Sequence, residues 1–123
     1  MKKRVLIIED DEKNRMLEKD LLDVAGMEVL EARDGASGLV LARKERPDAI
    51  VADVRLPDMR GTQLAKALQE APETRGIPVI FVTASVSGEM MEEIRAFNGK
   101  LFLPKPIDTR TFAEEIRRFI EAV

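Results

Sequence analysis

Short apolar runs recur along the chain, and amphipathic stretches of helical period separate them. The first run predicts a strand at Arg4–Ile8. A helix is expected over Glu12–Ala25, with Met16, Leu17, Leu21 and Val24 on one face and Gly26 as its stop. Glu28–Ala32 alternates polar and apolar residues, the pattern of a half-exposed edge strand. Asp34-Gly35 reads as a turn, and a helix over Ala36–Glu45 ends before Pro47. Asp48–Ala52 is the third strand. Leu56 to Gly61 is a loop whose Pro and Gly set its backbone, Thr62–Glu70 is helical, and Ala71 to Gly76 is a second loop. The fourth strand is Pro78–Val82. A helix over Ser87–Phe97 presents Met90, Met91, Ile94 and Phe97 and closes at Asn98-Gly99. The fifth strand is Lys100–Leu103. The last helix starts at Asp108 or Thr109 as N-cap and carries Phe112, Ile116, Phe119, Ile120 and Val123 at helical spacing. Apolar stripes of this kind are more often core than binding faces.

Strands alternating with helices through short loops predict a parallel sheet covered on both faces. The expected strand order is 2-1-3-4-5, with its switch point between strands one and three. Open α/β sheets bind ligands outside the carboxyl ends of their strands at such a point. The residues that close the inner strands are chemically distinctive. Glu9-Asp10-Asp11-Glu12 follows the first strand, Asp53 the third, Thr83 the fourth, and Lys105 comes just after the fifth. Each alone has a plainer reading. The acids after strand one favour the positive end of a helix dipole, Asp53 suits a turn, Thr83 suits a strand end, and Lys105 suits a solvated surface. Their coincidence at one sheet edge is what points to a site.

Composition narrows the chemistry. The 123 residues read as one domain, 1–123. The net charge of −3 is spread over both signs, and the short run Lys2-Lys3-Arg4 reads as a solvated terminus rather than a nucleic-acid arm. Without Cys there is no disulfide, thiolate nucleophile or sulfur-bound zinc, which fits a reducing compartment. Without His there is no Ser-His-Asp triad, imidazole metal site or phosphohistidine on this chain. No apolar stretch is long enough for a signal-peptide core or a membrane span, and a cytoplasmic location without membrane contact is expected.

Carboxylates crowded at one edge repel one another, which raises the cost of ionising them all. A hard divalent cation with oxygen ligands relieves that repulsion, and Mg²⁺ suits few carboxylates with room for water and phosphate oxygens. A carboxylate can also attack phosphorus to give an acyl phosphate. The metal and Lys105 would neutralise charge on the transferring group, and the Thr83 hydroxyl could donate to a phosphoryl oxygen.

These motifs resemble the receiver domain of two-component response regulators, single-domain type, from Lys3 to Val123. The matching residues are Glu9-Asp10, Asp53 followed by Leu56-Pro57 and Gly61, Thr83-Ala84, and Lys105-Pro106. The resemblance implies a flavodoxin-like doubly wound (βα)5 sandwich. It implies that Asp53 is the phosphoacceptor and that Asp10 and Asp53 bind Mg²⁺ directly. Glu9 would help through water, and the Arg55 backbone carbonyl would be another ligand. Thr83, Ala84 and Lys105 would hold the phosphoryl group. Pro106 would follow a cis bond, and Phe102 would be the aromatic switch, although plain strand core is an alternative role for it. The phosphodonor would be a sensor histidine kinase or a histidine phosphotransfer protein. Phosphorylation would switch the surface made by the fourth expected helix, the fifth strand and the last helix toward a downstream protein. The implied activity is that of a phosphoacceptor switch with self-phosphorylation and autodephosphorylation chemistry only, not of an enzyme.

The sequence also departs from the family pattern. Asn98-Gly99-Lys100-Leu101 stands where many members have Gly-Ala and two acids, which argues against the dimer contacts of the winged-helix transcription factors. Pro104 removes a backbone donor beside the site. Arg55 and Ser85 occupy the positions that tune phosphate lifetime in the family. Three other readings of the sequence stand beside this one. One is a receiver-like interaction scaffold that is never phosphorylated, and another is a receiver cut from a longer transcription factor or output enzyme. The third is an enzyme or flavin carrier on the same fold. The acids after strand one repel a flavin phosphate, and no second Asp lies two residues after Asp10 or Asp53, as a haloacid-dehalogenase-type phosphatase would need.

Overall fold

The computed structural model describes residues 2–84, 88, 92 and 99–121. Five strands are present: β1 (Arg4–Ile8), β2 (Glu28–Ala32), β3 (Ala49–Asp53), β4 (Val79–Thr83) and β5 (Gly99–Pro104). The described helices are α1 (Glu12–Val24), α2 (Gly35–Glu45), α3 (Gly61–Glu70) and, last in the chain, α4 (Phe112–Glu121). The strands pair in parallel in the order β2-β1-β3-β4-β5, as expected. Most boundaries fall within a residue or two of the expected ones. The helix expected over Ser87–Phe97 lies outside the described residues save for Gly88 and Glu92, both helical. Ser85, Asn98 and Val123 also lie outside them.

Strand alternation divides the core in two. Leu6, Ile8, Ile50, Ala52, Val79 and Phe81 face α2 and α3, where Ala42, Leu64, Ala65 and Leu68 meet them. Val5, Ile7, Ala49, Val51, Ile80 and Val82 face α1 and α4, against Leu22, Phe112, Ile116 and Ile120. Central strands buried on both faces account for the continuous apolar runs in the sequence. β2 is half exposed, as an edge strand should be.

Two expectations about the helices fail. Of the stripe of Met16, Leu17, Leu21 and Val24, only Leu21 packs against the core. Met16, Leu17 and Val24 are 53%, 39% and 90% exposed, and Leu21 is only partly buried. The buried side of α1 is Arg15, Glu18 and Leu22, roughly opposite. The rotation is set by Arg15, whose guanidinium donates to the Glu9 carbonyl at 2.9 Å, and by Leu22 in the core. The last helix also starts later than expected. Asp108 opens a turn: its Oδ1 accepts from the Arg110 N–H at 2.9 Å and its carbonyl accepts from Thr111 and Phe112. The side chain that was expected to cap the helix is used two residues on, and regular helix begins at Phe112. Arg117 then donates to the Ala25 carbonyl, tying α4 to the end of α1.

Gly38 lets α2 lie close to β1. A Cβ there would sit 2.5 Å from Ile8 Cδ1 and 2.9 Å from Ile8 Cγ1, and Ile8 is fully buried. Gly38→Ala gains about 1 kcal/mol of helix propensity but overpacks at a cost of about 1–3 kcal/mol. A lowered urea midpoint is therefore expected, and an unchanged or raised one would show that Ile8 has room to yield.

Candidate functional site

The parallel register sets the site. Ile8 pairs with Ala52, so Glu9 and Asp10 emerge level with Asp53, and Thr83 pairs with Pro104, immediately before Lys105. Asp53 is the last residue of β3 rather than the first after it. The Lys105 N–H donates to the Thr83 carbonyl at 2.9 Å, which anchors the segment after β5 beside β4. The Lys105–Pro106 peptide bond is cis.

Side chains from four strand ends converge. Lys105 Nζ donates to Glu9 Oε1 at 2.7 Å and to Asp53 Oδ2 at 2.6 Å. Glu9, Asp10 and Asp53 each bring a carboxylate oxygen within 4.8 Å of the others. Glu9 Oε2 also accepts from the Asp11 N–H, and Asp11 caps α1 through the Asn14 N–H. On the other side of the pocket, Asp53 Oδ1 accepts from the Arg55 N–H at 2.9 Å. Asp53, Arg55, Thr83, Ala84 and Lys105 line a cleft of about 140 Å³. All the expected acidic and phosphoryl-binding residues therefore meet in one place.

The electrostatics follow from this crowding. Three carboxylates face one ammonium, so the cluster retains negative charge. Burial pushes the Glu9 carboxyl up, against the hydrogen bond from Lys105. Burial works to lower Lys105, yet its hydrogen bonds to Asp53 and Glu9 outweigh it and the ammonium is held charged. Hard oxygen donors with residual negative charge fit Mg²⁺. No sulfur or imidazole stands among them to favour a softer metal.

A family model, the response regulator receiver domain, matches residues 5–117. The chain belongs to the response regulator receiver family. This receiver is 39% identical over 120 residues to the polar-differentiation response regulator DivK of Brucella anthropi, and the match covers 98% of each chain. Its structure is similar to that of the chemotaxis response regulator CheY4 of Vibrio cholerae, with a TM-score of 0.89 and 30% identity over 96% of this chain and 98% of that one. It is also similar to the receiver domain of a sensor histidine kinase from Pseudomonas aeruginosa, with a TM-score of 0.87 and 25% identity over 98% and 99% of the two chains. That structure has a magnesium ion coordinated in its active site cleft. The chain is thus a receiver domain of two-component response regulators.

Phe102, the expected switch residue, lies apart from the acids on β5. It is half-buried, and its ring stacks on Phe81 with centroids 6.0 Å apart. It borders a cleft of about 520 Å³ with Leu103, Pro104, Glu115, Arg118 and Phe119.

Behind the pocket the receiver has a charged layer that sequence reasoning missed. Arg15 holds the Glu9 carbonyl and pairs with Glu31 at 3.4 Å. Glu18 is 2% exposed, and its carboxyl is pushed up to about 8 by burial and then by the charges of Glu9 and Asp53, with Lys105 opposing. The signal was present as Arg15, Glu18 and Leu22 at helical spacing. It was hidden because two of the three are charged, and charged residues are rarely buried.

Proposed function

We propose that Asp53 accepts a phosphoryl group from a phosphohistidine on another protein, in a step that depends on Mg²⁺. The observation that carries this reading is the Lys105 ammonium, hydrogen-bonded to both Asp53 and Glu9, whose carboxylates cluster with that of Asp10. An Asp53 carboxylate oxygen attacks phosphorus, an O–P bond forms, the P–N bond of the donor breaks, and the imidazole leaves. Lys105 neutralises charge on the transferred group and keeps the Asp53 oxygen aimed into the cleft. Thr83 and Ala84, which line the same cleft, bind phosphoryl oxygens. Asp10, Asp53 and the Arg55 carbonyl would hold the metal, with Glu9 acting through water, and the bound ion would supply further charge neutralisation. The chain has no His, so the donor is another molecule, a sensor histidine kinase or a histidine phosphotransfer protein.

On this reading the domain is a switch and not an enzyme. The acyl phosphate draws Thr83 toward it, Phe102 turns inward, and the face around β5 and α4 changes its affinity for a downstream protein. Among the described residues no helix is long and apolar enough to cross a membrane. We place the receiver in the cytoplasm, where kinase phosphodonors act, as a single domain over residues 1–123.

Incubation with acetyl phosphate and Mg²⁺, followed by peptide mass mapping, tests the assignment. One added phosphoryl group on the peptide that carries Asp53, labile to hydroxylamine and not formed when chelator replaces Mg²⁺, is the expected result. No labelling would leave the chain as an interaction scaffold, and labelling elsewhere would move the acceptor.

A further inference from the structure

We propose that Asp58 is a positioning residue for the metal site: from the tip of the loop between β3 and α3 it clasps the first turn of α2 and so fixes the Arg55 backbone beside Asp53. The inference rests on the reading that the Arg55 carbonyl is a metal ligand.

The loop is a small hairpin. Arg55 and Arg60 form an isolated antiparallel bridge. The Leu56 N–H donates to the Met59 carbonyl at 3.1 Å, and the Gly61 N–H donates to the Val54 carbonyl at 2.6 Å. A two-stranded hairpin is marginal alone, so something must hold its tip. Asp58 does this with both carboxylate oxygens: Oδ1 accepts from the Gly35 N–H at 2.8 Å and Oδ2 from the Ala36 N–H at 2.9 Å. These are free donors at the positive end of α2, where a carboxylate is favoured. Asp34, the N-cap of the helix, takes the next one, the Ser37 N–H. Beside this clasp Met59 lies on Gly35, where any side chain would collide with it. Arg55 sits between this anchored tip and the Asp53 carboxylate that receives its N–H. Its backbone is therefore held from both sides, and the Asp58 clasp is the polar contact that carries the loop across to α2.

Three variants separate positioning from simple loss of helix stability. Asp58→Ala removes the clasp, Asp58→Asn keeps one acceptor, and Asp34→Ala removes a cap from the same helix without touching the loop. Mg²⁺ affinity is measured by isothermal titration, and amide hydrogen exchange at Arg55 and Leu56 is measured without metal. Asp58→Ala is expected to weaken Mg²⁺ binding about tenfold, the effect typical of losing a group that orients a ligand, and to speed exchange at both amides. Asp58→Asn should fall between it and wild type, and it carries the test if the alanine variant does not fold. Asp34→Ala should leave both measurements unchanged. Wild-type Mg²⁺ affinity in Asp58→Ala, or equal weakening in Asp34→Ala, overturns the proposal. If the wild type itself binds no Mg²⁺, the metal reading fails, and unchanged exchange at Arg55 in the variants would still remove the clasp separately.

Discussion

Asp53→Asn is expected to abolish phosphoryl labelling from acetyl phosphate while the chain stays folded. Asparagine has nearly the same shape, and its carbonyl oxygen can still accept the Arg55 N–H that Asp53 Oδ1 takes at 2.9 Å. What it lacks is the negative charge. A neutral amide oxygen is a poor nucleophile toward phosphorus, so no slower version of the reaction on this residue is expected. The loss also reaches the metal. One of three converging carboxylates disappears, and Mg²⁺ affinity should fall by roughly tenfold or more. Stability should change little. The ion pair with Lys105 is lost, but so is a repulsion with Glu9 that helps to raise its carboxyl. Labelling stoichiometry, an Mg²⁺ titration and a urea melt read the three effects. Labelling at the wild-type level would remove Asp53 from its assigned role.

Glu18→Gln is expected to stabilise the protein in a strongly pH-dependent way. Folding takes the Glu18 carboxyl from the ordinary value of 4.5 up to about 8. Between those values the folded chain holds a proton that the unfolded chain has released. Stability therefore falls as pH rises through that window and levels off above about pH 8. Each unit is about 1.4 kcal/mol, so the wild type at pH 7 has lost roughly 3 kcal/mol relative to pH 4.5 through this group. Glutamine mimics the protonated acid and does not titrate. Urea midpoints of variant and wild type should nearly coincide near pH 4.5 and diverge in the variant's favour toward pH 8, in metal-free buffer. A constant difference at all pH values would mean that folding does not shift the Glu18 carboxyl.

The two variants act on neighbouring groups for opposite purposes. Asp53 lines a cleft that opens to solvent, where the proposed phosphodonor would approach. Glu18 is sealed beneath α1 and feels Glu9 and Asp53 only through the low-dielectric interior. An acid in that position costs stability whenever it ionises, and no described ion pair of its own offsets the cost.

Much of the site was legible because its residues end strands. A run such as Ala49–Ala52 followed by Asp53 states both the burial of the strand and the polar group placed at its end. Glu9 after Ile8 and Thr83 after Val82 close their runs in the same way, although both are themselves buried. Parallel order then brings those ends together without further information. The α1 face was not legible in this way. Hydrophobicity pointed to Met16, Leu17 and Val24, yet these are exposed, while Arg15 and Glu18 are buried. A helix next to a polar site is oriented by hydrogen bonds as well as by apolar area, and the bond from Arg15 to the Glu9 carbonyl has no signature in local periodicity. Asp58 was equally silent. It lies unremarked in the loop from Leu56 to Gly61, and its two partners are 23 and 22 residues away.

From sequence alone came the alternation of strands and helices, the sheet order and the chemical types at each strand end, because these depend on periodicity and on short connections. Tertiary structure alone decided which side of α1 is buried, that Lys105 bridges Glu9 and Asp53, and that Asp58 clasps α2. Those contacts join residues far apart in the chain. Their energies depend on distances of a few tenths of an ångström and on exclusion of water, which local pattern does not encode.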